Sequence, residues 1–168
     1  IFLDDKRIED LSYLQDVGLV MDDSFLGKDW TLDLVNEAMN VGYENWDEKS
    51  FYGYLDKFNL DRDKKVEELS RGMKIKLMLA IALSHQAKIL ILDEPTSGLD
   101  PAMRDELVDM ILDFMENEDH TVLFSTHITQ DLDRIADFIV FIDDGKIVFE
   151  GSKDEFYDKF LLIKGGLD

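Results

Sequence analysis

The sequence predicts an α/β fold, a mostly parallel sheet flanked by helices, with an α-helical subdomain at residues 23–86. Three observations predict it. From Lys88 onward, short apolar runs alternate with helix-length segments, the pattern of a parallel sheet covered by helices. Between residues 23 and 86 the apolar residues recur instead at three- and four-residue spacing, as amphipathic helices require. Residues 72 to 85 are apolar nearly all round, which places that helix between layers.

Taken in order, Ile1-Phe2-Leu3 reads as a strand running into the turn Asp4-Asp5-Lys6, and Ile8 to Gln15 as a short helix. Val17 to Met21 is an apolar run suited to a buried strand. Thr31 to Met39 and Asp47 to Phe58 have helical spacing, and Asp61-Arg-Asp-Lys-Lys65 is a charged connector. Leu69 leads into a helix from Gly72 to His85: Met73, Leu77, Ala80, Ile81 and Ser84 share one face, and Ile75, Met78, Leu79 and Ala82 cover much of the other. Strands are then expected at 88–93, 121–125 and 138–142, with helices at 101–117 and 128–135 between them. Ile139 to Ile142 and Lys146 to Phe149 are joined by Asp143-Asp144-Gly145, whose Asp-Gly favours a tight hairpin. A helix near Lys153 to Phe160 and a Gly165-Gly166 tail follow.

A chain of 168 residues, 45% hydrophobic, is large enough for one domain with a subdomain. Its 38 acidic and 18 basic side chains give a formal charge of −20, which opposes contact with phosphate backbones and anionic lipid surfaces. The apolar stretches are too short to cross a bilayer, so a membrane role is expected through a partner. With no cysteine, a disulfide framework and a thiolate metal site are excluded, which fits a cytosolic setting.

The chemistry concentrates after residue 88. Ile89 to Leu92 drive a strand into the sheet and deliver Asp93 and Glu94 at its carboxyl end, where open α/β sheets bind ligands. Two adjacent carboxylates suit a division of labour, one holding Mg²⁺ through a water and the other orienting a water that attacks a phosphoryl group; the plainer reading is solvation of a strand end. Pro95 stops the strand and Thr96-Ser97-Gly98 turns the chain. Asp100 before Pro101 reads as a helix cap and first helical residue. Upstream, in Leu69-Ser70-Arg71-Gly72-Met73, Ser70 can cap the following helix, Gly72 permits close backbone approach to a ligand, and the first-turn amides form an anion site. Two readings of Arg71 stand: a cation beside phosphate, or a surface residue. His127 follows a strand in Phe124-Ser125-Thr126-His127; taken alone it is a solvated loop residue.

Together these residues resemble the ATP-binding subunits of ABC transporters, whose fold is of the P-loop NTPase type. Lys88 to Asp100 is similar to the Walker B strand and D-loop of that family, and the segment from Leu69 to Met73 to its signature, usually Leu-Ser-Gly-Gly-Gln. The resemblance implies that Asp93 serves Mg²⁺, that Glu94 is the catalytic base and that His127 is the switch histidine touching the γ-phosphate of ATP. It further implies that Ser70, Arg71 and Gly72 cap ATP held by an opposite subunit, and that Asp100 communicates across that dimer interface. Asp22 stands where the family usually has the Q-loop glutamine; its carboxylate can still bind Mg²⁺ or a water but cannot donate as an amide does. Arg71 and Met73 depart from the signature, and a basic third place followed by Met-Lys resembles the drug- and peptide-export (ABC-2-type) branch. Trp30, Trp46, Phe51, Tyr52 and Tyr54 would, in the family, help form the groove that receives a helix of the membrane subunit, although each taken singly is expected in the core of the helical subdomain.

On this resemblance residues 1–22 are the remainder of an N-terminal core with the Q-loop, residues 23–86 a helical subdomain ending in the signature helix, and residues 87–168 the C-terminal part of the ATPase core. The implied partners are a transmembrane permease subunit and a second nucleotide-binding subunit, with a cytoplasmic location at the inner face of the membrane. The chain contains no Gly-x-x-x-x-Gly-Lys-Ser/Thr, the loop that grips the β- and γ-phosphates, and it opens on isoleucine; the expectation is that this loop and the first part of the sheet lie before Ile1. Three alternatives accompany this reading. An ABC ATPase of ribosome or repair function would carry basic inserts or a long coiled coil. A phosphoacceptor receiver module would need a lysine after a late strand, where Phe124-Ser-Thr-His127 has none. An inert fragment would only dock a partner.

Overall fold

The computed structural model describes residues 2–3, 6–7, 12–21 and 25–160. The chain forms two compact units, one running to His127 and the other from Ile128.

In the first unit a short antiparallel pair, β1 (Phe2–Leu3) and β2 (Lys6–Arg7), precedes a 3-10 turn at Ser12–Asp16. The central sheet has three parallel strands in spatial order β3 (Val17–Val20), β4 (Ile89–Asp93) and β5 (Thr121–Ser125). Its register sets Val17 beside Ile89 and Asp93 beside Ser125. The apolar run preceding Asp93 thus becomes the middle strand, with Leu90 and Leu92 buried. A strand hydrogen-bonded on both sides is the stiffest place from which to project a functional group.

Among the described residues between β3 and β4 lie the α-helices α1 (Leu32–Gly42), α2 (Glu48–Lys57) and α3 (Arg71–Ser84), with a 3-10 turn at Val66–Glu68 before α3. Each starts where a side-chain oxygen accepts an otherwise orphaned amide: Thr31 from Leu34, Asp47 from Ser50 and Ser70 from Met73. Their apolar sides enclose a cluster of Leu32, Val35, Phe51, Leu55, Phe58 and Val66, with Leu77, Ala80 and Ile81 contributed by α3. Phe51 is fully buried, and Trp30, Trp46, Tyr52 and Tyr54 pack against the cluster while keeping part of their surface in water. The buried Asn36 is satisfied, donating to Glu48 Oε2 at 3.1 Å and accepting from Trp46 Nε1 at 2.9 Å.

The opposite side of α3 meets β3. A Cβ added to Gly18 would stand 2.5 Å from Ala82 Cβ and 2.8 Å from Leu90 Cδ2, so only glycine lets the helix lie this close to the sheet. This is the physical content of the all-round apolar pattern: α3 is shared by the helical cluster and the sheet. After β4, α4 (Pro101–Met115) returns the chain to β5 and buries Leu107, Val108, Ile111 and Phe114.

The second unit contains α5 (Thr129–Ile135), the antiparallel pair β6 (Phe138–Asp143) and β7 (Lys146–Ser152), and α6 (Lys153–Lys159). Asp144 and Gly145 take φ of 45° and 72°, the left-handed pair that a tight two-residue hairpin demands. Phe149 is buried, with Phe156 and Phe160 set edge-on to it. Ser152 and Glu155 form a reciprocal capping box at the start of α6.

One buried titratable group belongs to the framework of the first unit. His85, 1% exposed, stacks on Tyr43 with ring centroids 3.9 Å apart, and its Nδ1 donates to the carbonyl of Gln15 at 3.0 Å. Burial holds its pKa below the ordinary histidine range. Between that lowered value and about 6.5, the unfolded imidazole binds a proton that the folded one refuses, so stability falls as pH falls. The melting temperature is therefore expected to drop between pH ~7.5 and ~5.5 more steeply for the native chain than for His85→Gln. Parallel slopes in thermal denaturation would contradict this.

Candidate active site

The site is built on the carboxyl end of β4. Asp93 is the last strand residue and is exposed. Glu94 then leaves the strand with φ of 48°, a left-handed conformation that costs a residue with a Cβ roughly 1–2 kcal/mol. The next residues turn tightly: the Ser97 amide donates to the Glu94 carbonyl at 3.2 Å, the Leu99 amide donates to Thr96 at 3.3 Å, and Gly98 supplies φ of 70°. The consequence is directional, because a left-handed residue at the strand end sends its side chain where an extended one would not. Glu94 Oε2 lies 2.7 Å from His127 Nδ1. That oxygen is itself screened from water and sits off the axis of a ring N–H hydrogen bond.

The peptide of Glu94 is held at both ends. Its N–H donates to the backbone carbonyl of Ser125 at 3.2 Å and to the Ser125 hydroxyl at 3.0 Å. That hydroxyl donates in turn to Asp93 Oδ1 at 2.7 Å. The Glu94 carbonyl accepts from Arg71 Nη2 at 3.4 Å. Arg71 thus reaches, half-buried, from the first turn of α3 to the turn after β4.

The other expected site residues stand at the starts of helices. Ser70 is exposed and its hydroxyl accepts from Met73 at 3.3 Å. Asp100 is exposed and its Oδ1 accepts from Met103 at 3.1 Å, with Pro101 as the first helical residue of α4. Gly72 is buried, and a Cβ there would meet Met103 Cε at 2.1 Å and Leu99 Cδ2 at 3.4 Å. The close approach that Gly72 permits in this structure is to α4. Asp22 lies outside the described residues. The fold therefore gathers Asp93, Glu94, Arg71 and His127 around one turn, with Ser125, for which the sequence suggests no role, among them.

Among the described residues no three histidine or acidic side chains converge as a metal cage. One exposed carboxylate, locked by a hydroxyl on one oxygen, nevertheless suits a hard cation that takes most of its ligands from water and phosphate, as Mg²⁺ does.

Residues 5–131 match the family model described as "AAA domain, putative AbiEii toxin, Type IV TA system". The lantibiotic transport ATP-binding protein SrtF of Streptococcus pyogenes is 45% identical over 96 residues, covering 57% of this chain and 41% of that protein. The thiamine import ATP-binding protein ThiQ of Mesorhizobium japonicum is 40% identical over 90 residues, 54% of this chain and 36% of its own length. The chain thus spans well under half of each of these relatives. Among solved structures, an ATP-binding subunit of an ABC transporter superposes with a TM-score of 0.75 at 23% identity, covering 88% of this chain and 63% of that one. CbiO1 of Clostridium perfringens, described as part of the ABC transporter complex cbiONQ, gives 0.71 at 23% identity, over 94% of this chain and 67% of that one. At this identity the superpositions establish the fold.

The cap geometry gives a direct test. Asp100→Ala removes the acceptor of the Met103 amide and is expected to lower stability by about 1 kcal/mol in chemical denaturation, while Asp100→Asn retains most of it. Equal losses in the two variants would show that the cap is not what Asp100 contributes to folding.

Proposed function

We infer the function from the family: the chain belongs to the AAA-domain family and groups with the ATP-binding proteins of ABC transporters. We propose that, within a longer protein, it forms the catalytic half of an ATP-hydrolysing site that drives export through a separate membrane subunit. The observation that carries this reading is the 2.7 Å contact between Glu94 and His127 one residue beyond Asp93. It brings a candidate base, a candidate γ-phosphate sensor and a candidate metal ligand together around a single turn.

In this proposal Asp93 would hold Mg²⁺, which when bound would supply charge neutralisation for the phosphate oxygens. Glu94 orients the attacking water and takes its proton at a carboxylate oxygen, a task that requires the carboxylate to be within one hydrogen bond of that water. His127, 68% exposed at the side chain, contacts the γ-phosphate by ring N–H donation and, by its contact with Glu94, fixes where the water sits. Ser70 and Gly72 at the start of α3 cap ATP held by a second nucleotide-binding subunit, as does Arg71 beside them, while Asp100 faces the dimer interface. Asp22 adds a metal-side carboxylate in the Q-loop position. Residues 23–86 then form the helical arm and the flanking segments the ATPase core. Export is supported by the basic third place of Leu69-Ser70-Arg71-Gly72-Met73; the matched relatives are named for both import and lantibiotic transport. The permease partner places the protein at the cytoplasmic face of the membrane.

The 168 residues contain no Gly-x-x-x-x-Gly-Lys-Ser/Thr, so the amides and lysine that grip the β- and γ-phosphates are expected from elsewhere in the protein. Two measurements follow. An ATP titration of this chain alone is expected to show weak binding and no turnover; tight binding with hydrolysis would overturn the expectation that the phosphate grip comes from elsewhere in the protein. In the longer protein Glu94→Gln is expected to reduce turnover on the order of 100-fold or more with ATP binding intact. Retention of most of the turnover would remove Glu94 from the role of base.

A further inference from the structure

We propose that Ser125 is a positioning residue of this site, its hydroxyl fixing the Asp93 carboxylate and the Glu94 backbone relative to each other. The inference rests on the ATP-hydrolysing function proposed above. Ser125 is the last residue of β5 and stands directly across the parallel ladder from Asp93. A hydroxyl has a single proton to give and two lone pairs to receive. Around Ser125 the assignment is forced. The Glu94 N–H can only donate, so it must be the donor in its 3.0 Å bond to Ser125 Oγ. An ionised Asp93 carboxylate can only accept, so the hydroxyl proton goes to Oδ1 at 2.7 Å. The proton and one lone pair of the hydroxyl are thereby used on two consecutive residues of the catalytic turn.

The two bonds have different consequences. The bond to Oδ1 stops the Asp93 carboxylate from rotating and so determines where its second oxygen points. The bond from Glu94 helps to hold a left-handed residue, φ 48°, whose conformation survives only if its surroundings over-determine it. The Glu94 amide also bonds the Ser125 carbonyl at 3.2 Å. Removing the hydroxyl therefore leaves the turn formed but looser, and a Ser125→Ala chain should fold. An effect on catalysis without an effect on folding is the signature of positioning.

The hydroxyl-free variants Ser125→Ala and Ser125→Val are to be compared with Ser125→Thr, which restores the hydroxyl on a side chain isosteric with valine. In the 168-residue chain, two-dimensional NMR of the Glu94 amide needs neither nucleotide nor activity. Its resonance is expected to move and its hydrogen exchange to quicken in the alanine and valine variants, and to return toward native values with threonine. In the longer protein the same two variants are expected to lower kcat by about 10- to 100-fold with KM for ATP within about 2-fold, and to raise the half-saturating Mg²⁺ concentration. Threonine is expected to recover most of both. An unmoved Glu94 amide in Ser125→Ala, or native kcat and Mg²⁺ dependence in that variant, would overturn the role of Ser125. A native longer protein that fails to hydrolyse ATP, alongside amide shifts as expected, would instead overturn the functional reading and leave the hydrogen-bond geometry standing.

Discussion

The peptide of Glu94, pinned at its N–H by Ser125 and at its carbonyl by Arg71, is the constraint on which the arrangement of the site depends. A glutamate in the left-handed region is unfavourable by itself, and a chain free to relax would swing it back to an extended conformation. The surrounding fold prevents this by tying the residue to two separate elements, the end of β5 and the first turn of α3. What results is a carboxylate held against His127 before any ligand arrives. For the proposed hydrolysis, preorganisation of that kind is worth more than the same groups on a flexible loop, because no ordering remains to be done at the moment of reaction.

That arrangement needs α3 in its place, and α3 is held by two neighbours. On one side Leu77, Ala80 and Ile81 complete the aromatic-rich cluster around Phe51; on the other, Ala82 rests on the bare backbone of Gly18 in β3. A displacement of α3 would carry Arg71 with it and withdraw a donor from the Glu94 carbonyl. The aromatic residues between positions 30 and 54 thus act on the site indirectly, by packing the helix that starts at it. Gly72, pressed on Met103 and Leu99, ties the same helix start to the segment that follows Gly98.

Much of this was readable from residue types. Four successive apolar residues before Asp93 make sense only as a buried strand, Ser70 and Asp100 announce helix starts, and Asp144-Gly145 marks a turn whose φ values bear it out. The parts that were not readable are relations between distant residues. Ser125 gains meaning only once β4 and β5 are known to be parallel neighbours in a register that sets it beside Asp93. Arg71 touches a carbonyl 23 residues away, and nothing in its local sequence distinguishes that from solvent. The left-handed backbone of Glu94 is hidden because glutamate, unlike Gly98, carries no conformational signal. Strand β7 runs on to Ser152 although its apolar run stops at Phe149, since ladder pairing with Phe138, Ile139 and Val140 continues through the backbone.

A crystal structure of the chain at high resolution, without nucleotide, tests the central claim most directly. The account predicts Glu94 at a φ near 48° with Oε2 about 2.7 Å from His127 Nδ1. A Glu94 with negative φ and a carboxylate turned away from His127 would contradict it.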